Sequence, residues 1–600
     1  MERDSEPLLS NRNPKGGLKT LPFIVGNYKY SIESSSSFFL LYFDYINVMI
    51  NFDIGTDFSK ANEAFERVAS FGLLPNMIFF LKTRYNMETT TATNLILVWN
   101  AATNMLPVAG AMVADSYVGR YPMIGFGSIA SLLGMILLWL TTLFPEATKP
   151  TTFQFMVLYA SFGFMTIGAS GIRASSAAFG ADQVINTGDN NLKKSGVLQS
   201  YFGWYNVAIT GSYIIAVTCI VYIQDHLGWT VGFGVPVVLM FLSAISFFLA
   251  SPFYIKEKPN SNLLIGLIQV AVASYKNRQL NILSQATDDV TYYQRKDSNL
   301  LMPSDKLRFL NKACIIRNRE QDLTPDGKAS NPWGLCTIDQ VEELKALIKV
   351  IPIWSTGIIF SINVSQGTLG ALQAKTIDLH LTRNFEIPAG SLGLFMMLTL
   401  TLWIALYDRV IIPIASKIRG KPSYLNTKLR MGIGLILSTS SMATWAIVES
   451  IRRDRAIKQG FYNDPTGIVD MSFVWLLPHN IMTGLSEAFF TVAQNEFFYC
   501  EFPKSMSSIA TSIGHVGVSL SNLVASVILS TVDCISSIGG KESWVSDNLN
   551  KGHYDYYFWF LAGLSAVNIM YYLYCSKSYG PLKSEANDLF NPDSSDDRDE

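Results

Sequence analysis

Long apolar runs alternate with short polar joints from residue 62 to residue 575, and each run has roughly the length that crosses a bilayer. A membrane-spanning helix needs about 20 mostly apolar residues. Lipid offers backbone amides no partner, so such runs must close their hydrogen bonds internally. On this basis the pattern predicts spans over Asn62–Leu81, Ala92–Ala114, Met123–Phe144, Phe153–Arg173, Phe202–Ile223 and Val231–Ile255. A hydrophilic stretch with both charge signs follows at 257–343, punctuated by Pro303, Pro325 and Pro332. Within it, Leu263–Tyr275 and Lys306–Ala313 read as surface helices. Further spans are predicted over Leu344–Ala371, Gly390–Pro413, Met431–Val448, Phe473–Tyr499, Ile509–Val532 and Phe558–Cys575. The pattern is therefore an all-α membrane protein with twelve transmembrane helices in two six-helix bundles, 62–256 and 344–580. A polar tail (1–61) precedes the bundles and an acidic tail (581–600) follows them.

Composition agrees with this division. Hydrophobic residues make up 49% and charged residues 16% of the chain, with a mean hydropathy of +0.24. Charge is thus pushed into the loops, as expected of a polytopic membrane protein. A net charge of -1 gives no reason to invoke nucleic acid. The six cysteines (Cys219, Cys314, Cys336, Cys500, Cys534, Cys575) show neither pairing nor metal-ligand spacing and read as packing residues. No charged-then-apolar leader with a small-residue cleavage site precedes the first span, so no signal peptide is expected. Lys and Arg set the orientation. Joints carrying Arg120, Lys193-Lys194, Lys417-Arg419-Lys421 and Lys504, with the basic-rich linker, place themselves and both termini in the cytoplasm. Arg452, Arg453, Arg455 and Lys458 oppose this, falling in a joint assigned to the outside.

A few charges stand inside the predicted spans. Glu63, Glu66 and Arg67, three and four residues apart, share one helix face. A charge at mid-bilayer costs about 2.5–3.5 kcal/mol on insertion scales, so three together need a compensating interior or cavity. Spacing alone leaves two readings open: a proton or ion relay facing a pathway, or a juxtamembrane cluster among headgroups. Arg173 follows Gly168-Ala169-Ser170-Gly171, small residues that permit close helix approach. Its planar guanidinium suits nitrate or a carboxylate if it faces a cavity, and otherwise snorkels to an interface. Glu487 is a single acid within the apolar tenth span. After the second span, Asp115 precedes Gly119-Arg120 in a loop that either latches an inner gate or is an ordinary charged turn. His479 and His515 read as hydrogen-bonded packing residues. No Asp pair, Ser–His pair or His-rich metal spacing lies within the spans, so neither enzyme chemistry nor a metal is expected.

The string Asn62-Glu63-Ala64-Phe65-Glu66-Arg67, continuing to Gly72-Leu73-Leu74-Pro75-Asn76, resembles the first-helix motif of the proton-coupled oligopeptide transporters. The closer match is their plant branch, the nitrate transporter 1/peptide transporter family. Further matches are Gly171-Ile172-Arg173 with Phe179-Gly180-Ala181-Asp182-Gln183, Pro352-Ile353-Trp354, and Glu487 with Glu496-Phe497-Phe498-Tyr499. The Asp115…Gly119-Arg120 loop is similar to that of major facilitator transporters, and Asp408-Arg409 to Gly420-Lys421 echoes it. The resemblance covers nearly all of the chain outside the tails and residues 28–62.

That resemblance implies the major facilitator fold, two pseudo-symmetric halves with a binding site at their midplane interface. It assigns proton coupling to Glu63, Glu66 and Arg67, substrate binding to Arg173, Glu487, Asn363 and Trp354, and gating to Asp115, Gly119 and Arg120. Arg173 and Glu487 are expected to pair across the bundles in one conformational state. Fully ionised, two cations against three carboxylates leave the buried set at -1, so an entering anion calls for proton uptake. The implied activity is proton-coupled symport of a small anionic solute, nitrate first, with no cofactor. Peptides, gibberellin, abscisic acid and glucosinolates are alternative substrates, and a non-transporting nutrient sensor is an alternative role. The histidine that some nitrate-transporting members carry in the seventh span is replaced by Val364, beside Asn363.

Two features depart from the family pattern or add to it. Residues 28–62 separate Pro22-Phe23-Ile24-Val25-Gly26-Asn27 from Glu63, where the family runs on directly, so they read as a retained intron or an insertion that delays the first helix. Asp4, Leu8 and Leu9 form an acidic dileucine sequence that a sorting adaptor could read, leaving an internal membrane as the alternative to the plasma membrane.

Overall fold

The computed structural model describes residues 54–144, 150–185, 205, 208–256, 263–279, 291–294, 302–324, 327–383, 385–419, 425–503 and 506–580. The Asp4, Leu8 and Leu9 sequence, residues 28–53, Lys193, Lys194, Lys421, Lys504 and the acidic tail lie outside them. So do the side chains of Glu63 and Arg419.

The N-terminal bundle contains α1 (Ile54–Leu73), α2 (Met77–Tyr85), α3 (Thr89–Val113), α4 (Arg120–Thr141), α5 (Thr152–Ile185), α6 (Ala208–His226) and α7 (Gly228–Leu249). Leu263–Lys276 forms α8 on the linker. The C-terminal bundle contains α9 (Ile338–Val364), α10 (Gly367–Ala374), α11 (Ala389–Ile418), α12 (Thr427–Lys458), α13 (Leu477–Glu501), α14 (Ser507–Ser536) and α15 (Tyr554–Tyr579). Among the described residues ten helices are long and apolar enough to cross a membrane, or eleven when the bent α1–α2 pair is one span. α13 has the length of a span, but its polar residues lower its hydropathy. This is the expected all-α major facilitator architecture.

α1 begins at Ile54, so residues of the inserted segment build its first turns and the helix does not start late. It breaks at Pro75, which has no N–H to donate, and α2 leaves at 48°. At the break Asn76 is buried and donates to the Val221 carbonyl at 3.4 Å.

α4 and α5 approach closely through the predicted small residues. A Cβ at Gly127 would lie 2.8 Å from the Gly168 carbonyl oxygen, and one at Gly171 would collide with the Met123 carbonyl.

Polar residues lengthen several helices beyond their apolar runs. α5 continues to Ile185, so Arg173 lies inside the helix and not at its end. α12 continues to Lys458 and takes up the basic cluster read from sequence as a joint. Arg452 is fully buried, bound twice by Glu449 at 2.7 and 2.8 Å, and donates to Asn550 at 2.8 Å. Gln373 completes the network by donating to Glu449 at 2.5 Å. Arg453 donates to the Gly552 carbonyl at 2.8 Å, and Arg455 stacks over Trp475. These cations are held by protein groups, so their position carries little weight against the orientation set by the other joints.

The linker packs its own small core of Val270, Leu310, Cys314 and Cys336 against Val341 of α9. It is tied down where Ser304 donates to Glu342 at 2.8 and 2.9 Å and Lys345 donates to the Ser304 carbonyl at 2.7 Å.

Among the described residues, several contacts between the bundles lie on the half of the molecule away from the linker. Lys82 lies 2.8 Å from Asp547, which also accepts from the Thr89 amide at 2.7 Å and its hydroxyl at 2.6 Å. Asn94 exchanges hydrogen bonds with Ser530 and Ser526, both at 2.8 Å. Ser391 donates to the Val217 carbonyl at 2.7 Å.

Candidate functional site

Below those contacts the bundles enclose a cavity of about 670 Å³, lined by Phe71, Tyr213, Trp354, Glu487, Asn495 and His515 among others. The first-helix motif lies beside it. Glu66 is fully buried and accepts a hydrogen bond from Ser70, one turn along α1, at 2.6 Å. Its carboxylate is shared by two cations: Arg67 Nε at 3.8 Å and Arg173 of α5 at 3.8 Å. Arg67 also stands 5.8 Å over the Phe71 ring, which meets Tyr213 edge-on at 5.3 Å and so reaches the cavity wall. The face read from the 63, 66, 67 spacing is therefore inside the bundle at Glu66 and Arg67. The Glu63 side chain lies outside the described residues.

In this conformation Arg173 lies on Glu66 within the N-terminal bundle, and Glu487 stands apart in α13. Glu487 makes no hydrogen bond or ion pair with the described residues, and Tyr213 is within its electrostatic reach.

Trp354 lines the cavity with its indole N–H donated to the Ile513 carbonyl at 2.8 Å, which ties α9 to α14. Asn363 borders the cavity, but its amide donates to Ser438 and Ser565 at 2.9 and 2.8 Å. Those bonds join α9 to α12 and α15, so the amide hydrogens serve the bundle.

The loop motif forms a three-residue chain on the linker side. Arg120 bridges Asp115 at 3.1 Å and Asp182 at 2.6 Å, joining the ends of α3, α4 and α5. Gly119 has φ +90°, a left-handed conformation that glycine takes without a Cβ penalty. Gln183, next in the motif, both donates to and accepts from the backbone of Ile255, at 2.9 and 2.8 Å. Asp115 thus latches helices within one bundle.

His479 is a packing residue as expected, stacked on Trp445 at 4.1 Å and hydrogen-bonded to Ser441 at 2.9 Å. His515 is not. It is exposed to the cavity and within electrostatic range of both Arg67 and Arg173. Which way a single histidine on α14 points depends on how that helix is rotated, and the sequence carries no signal for it.

A family model described as the POT family matches residues 121–545. Among characterised sequences, Protein NRT1/PTR FAMILY 1.2 of Arabidopsis thaliana is 51% identical over 543 residues, covering 88% of this chain and 89% of that one. Protein NRT1/PTR FAMILY 1.1 of the same plant is 47% identical, with 97% and 95% covered. Among solved structures, an auto-inhibited POT family peptide transporter superposes with a TM-score of 0.64 at 18% identity, covering 88% of this chain and 97% of its own. The POT family transporter PepTSo gives 0.62 at 17%, covering 88% and 98%. At those identities the structural likeness speaks for the fold.

Proposed function

The chain belongs to the POT family, in its plant NRT1/PTR branch, and from that premise we propose that this membrane transporter is a proton-coupled symporter of a small anion, nitrate first. The supporting observation is Glu66, buried and shared between Arg67 and Arg173 beside the cavity. An ionised Glu66 offsets the two guanidiniums. A proton arriving on its carboxylate removes that negative charge and leaves their positive field for the substrate. Proton and anion then each favour the other's binding by linkage. Arg173 supplies a planar fork that matches an oxyanion, and Glu487 on the facing bundle completes the ring of charge across which the halves rock.

The linker side is taken as cytoplasmic from its basic residues. The contacts among Lys82, Thr89 and Asp547 then close the outer face, and the cavity serves the inner one. In this reading the Asp115–Arg120–Asp182 chain stiffens the inner ends of α3, α4 and α5 so that they move together. The plasma membrane is the proposed location, with an internal membrane reached if an adaptor reads Asp4, Leu8 and Leu9.

The cavity supports a second substrate class. A space of about 670 Å³ is in the range that holds drug-sized ligands and far exceeds a nitrate ion. Carboxylate hormones such as gibberellin or abscisic acid fit that volume, and their single negative charge suits the same guanidiniums. Peptides and glucosinolates remain in the panel to be tested.

Uptake of ¹⁵N-nitrate and labelled carboxylates into oocytes at acidic and neutral external pH tests these readings together. Acid-stimulated nitrate uptake supports the first, acid-stimulated uptake of a hormone alone supports the second, and binding without uptake favours a sensor.

A further inference from the structure

The rotation of α14 is fixed by its neighbours. Ile513 accepts the Trp354 indole hydrogen, and a Cβ at Gly517, one turn on, would sit 3.1 Å from that same nitrogen. That edge of the helix therefore faces α9. Ser519 donates to the Ala101 carbonyl of α3 at 2.8 Å, so its edge faces the N-terminal bundle. His515 lies four residues before Ser519 and shares that face. One turn toward the linker side the bundles have separated, so His515 meets the cavity where Ser519 meets α3.

We propose, resting on the reading of the cavity as an anion pathway, that His515 is the C-terminal bundle's contact to the substrate. Its imidazole N–H closes an anion site whose other donors are the guanidiniums of Arg67 and Arg173. The charged groups within electrostatic range of it are Arg67 of α1 and Arg173 of α5, which share Glu66 between them, and Glu487 of α13 lines the same cavity. A neutral imidazole gives the anion one N–H donor. An anion held between the three groups accepts from all of them, which makes the site a clamp across the gap between the bundles. The clamp tightens if the linker side closes, because that movement carries α14 toward α1 and α5. His515 thereby contributes to selection for negative charge.

The test uses the full chain in proteoliposomes with ¹⁵N-nitrate, comparing wild type, His515→Gln and His515→Leu. A lost charge-assisted hydrogen bond corresponds to roughly a tenfold change in affinity. His515→Leu is expected to raise KM about tenfold with the maximal rate within about twofold. His515→Gln, which keeps a donor, is expected to raise KM less. An unchanged KM in His515→Leu at every pH, or a loss confined to the maximal rate, overturns the inference. If wild type carries no nitrate, binding of nitrate, acetate and benzoate to the purified protein is followed by intrinsic tryptophan fluorescence. Weakening of any of these by His515→Leu upholds the clamp although the nitrate reading falls. Binding that His515→Leu leaves unchanged overturns the clamp alone, and no binding to wild type overturns both.

Discussion

Arg173 on α5 lies 3.8 Å from the carboxylate of Glu66 on α1, and the acid on the opposite bundle, Glu487, stands apart from it. The charge around Glu66 is therefore set inside one bundle.

Replacing Arg173 by lysine keeps the charge but loses the planar fork. Arg173→Lys is expected to fold and to raise KM for the anion by about tenfold, a cost of about 1.4 kcal/mol. Arg173→Ala removes one of the two cations on a fully buried carboxylate and is expected to abolish measurable uptake. Initial-rate uptake against substrate concentration, normalised to surface protein, checks both.

Glu449 and Arg452 form a fully buried pair in α12. Removing one partner strands the other charge, at a cost of about 3–5 kcal/mol. Arg452→Ala and Glu449→Ala should each lower the melting temperature of the purified protein markedly. Replacing both with apolar residues of similar volume should recover much of the loss, as a thermal melt of the three variants would show.

The same pair shows where hydropathy stops being informative. The apolar centres of the spans, the linker and the two-bundle order were all legible, because each apolar run must lie in lipid or core. The ends were not. α12 runs past Val448 because Arg452 finds Glu449 one turn away together with Asn550 and Thr376, which lie farther along the chain than a sequence window reaches. α5 runs past Arg173 for a related reason, since Glu66 lies on a different helix. Within the site, the motif picked out Glu66, Arg67 and Arg173 but carried no sign that Arg173 lies on Glu66 in this conformation. Asn363 shows the reverse case. Its position on the cavity wall was expected, but the hydroxyls of Ser438 and Ser565 that occupy its amide come from distant spans. His515 was read as packing because helix rotation is a tertiary property.

Asp547 lies in the connection before α15, outside the spans. Burial alone would raise its pKa, but hydrogen bonds from Lys82 and Thr89 outweigh this and hold it below the ordinary carboxylate value. A depressed acid contributes stability above its unperturbed pKa and loses it only as pH falls through the lowered one. The contact with Lys82 and Thr89 should thus persist at mildly acidic external pH, whereas Asp547→Asn should weaken it at neutral pH. An Asn100→Cys probe on the cavity wall, labelled from outside with an impermeant thiol reagent, reads this directly. Faster labelling in Asp547→Asn, without a matching acceleration in acid alone, is the expected result.

Gly171 faces the Met123 carbonyl with no room for a side chain. Gly171→Val should force α4 and α5 apart, costing about 1–3 kcal/mol or more. The expected signs are reduced expression and a lower melting temperature, while Gly163→Ala, which has open space, should be neutral.

Glu66 is the proposed carrier of the coupled proton. Proteoliposomes containing wild type or Glu66→Gln can be assayed for pH-driven accumulation of ¹⁵N-nitrate, or of whichever anion wild type accumulates, and for exchange of that anion at equal pH. Loss of accumulation with exchange retained within about threefold is the predicted result, since a neutral amide mimics the protonated acid and leaves the anion step intact. Accumulation by Glu66→Gln that matches wild type would contradict the account.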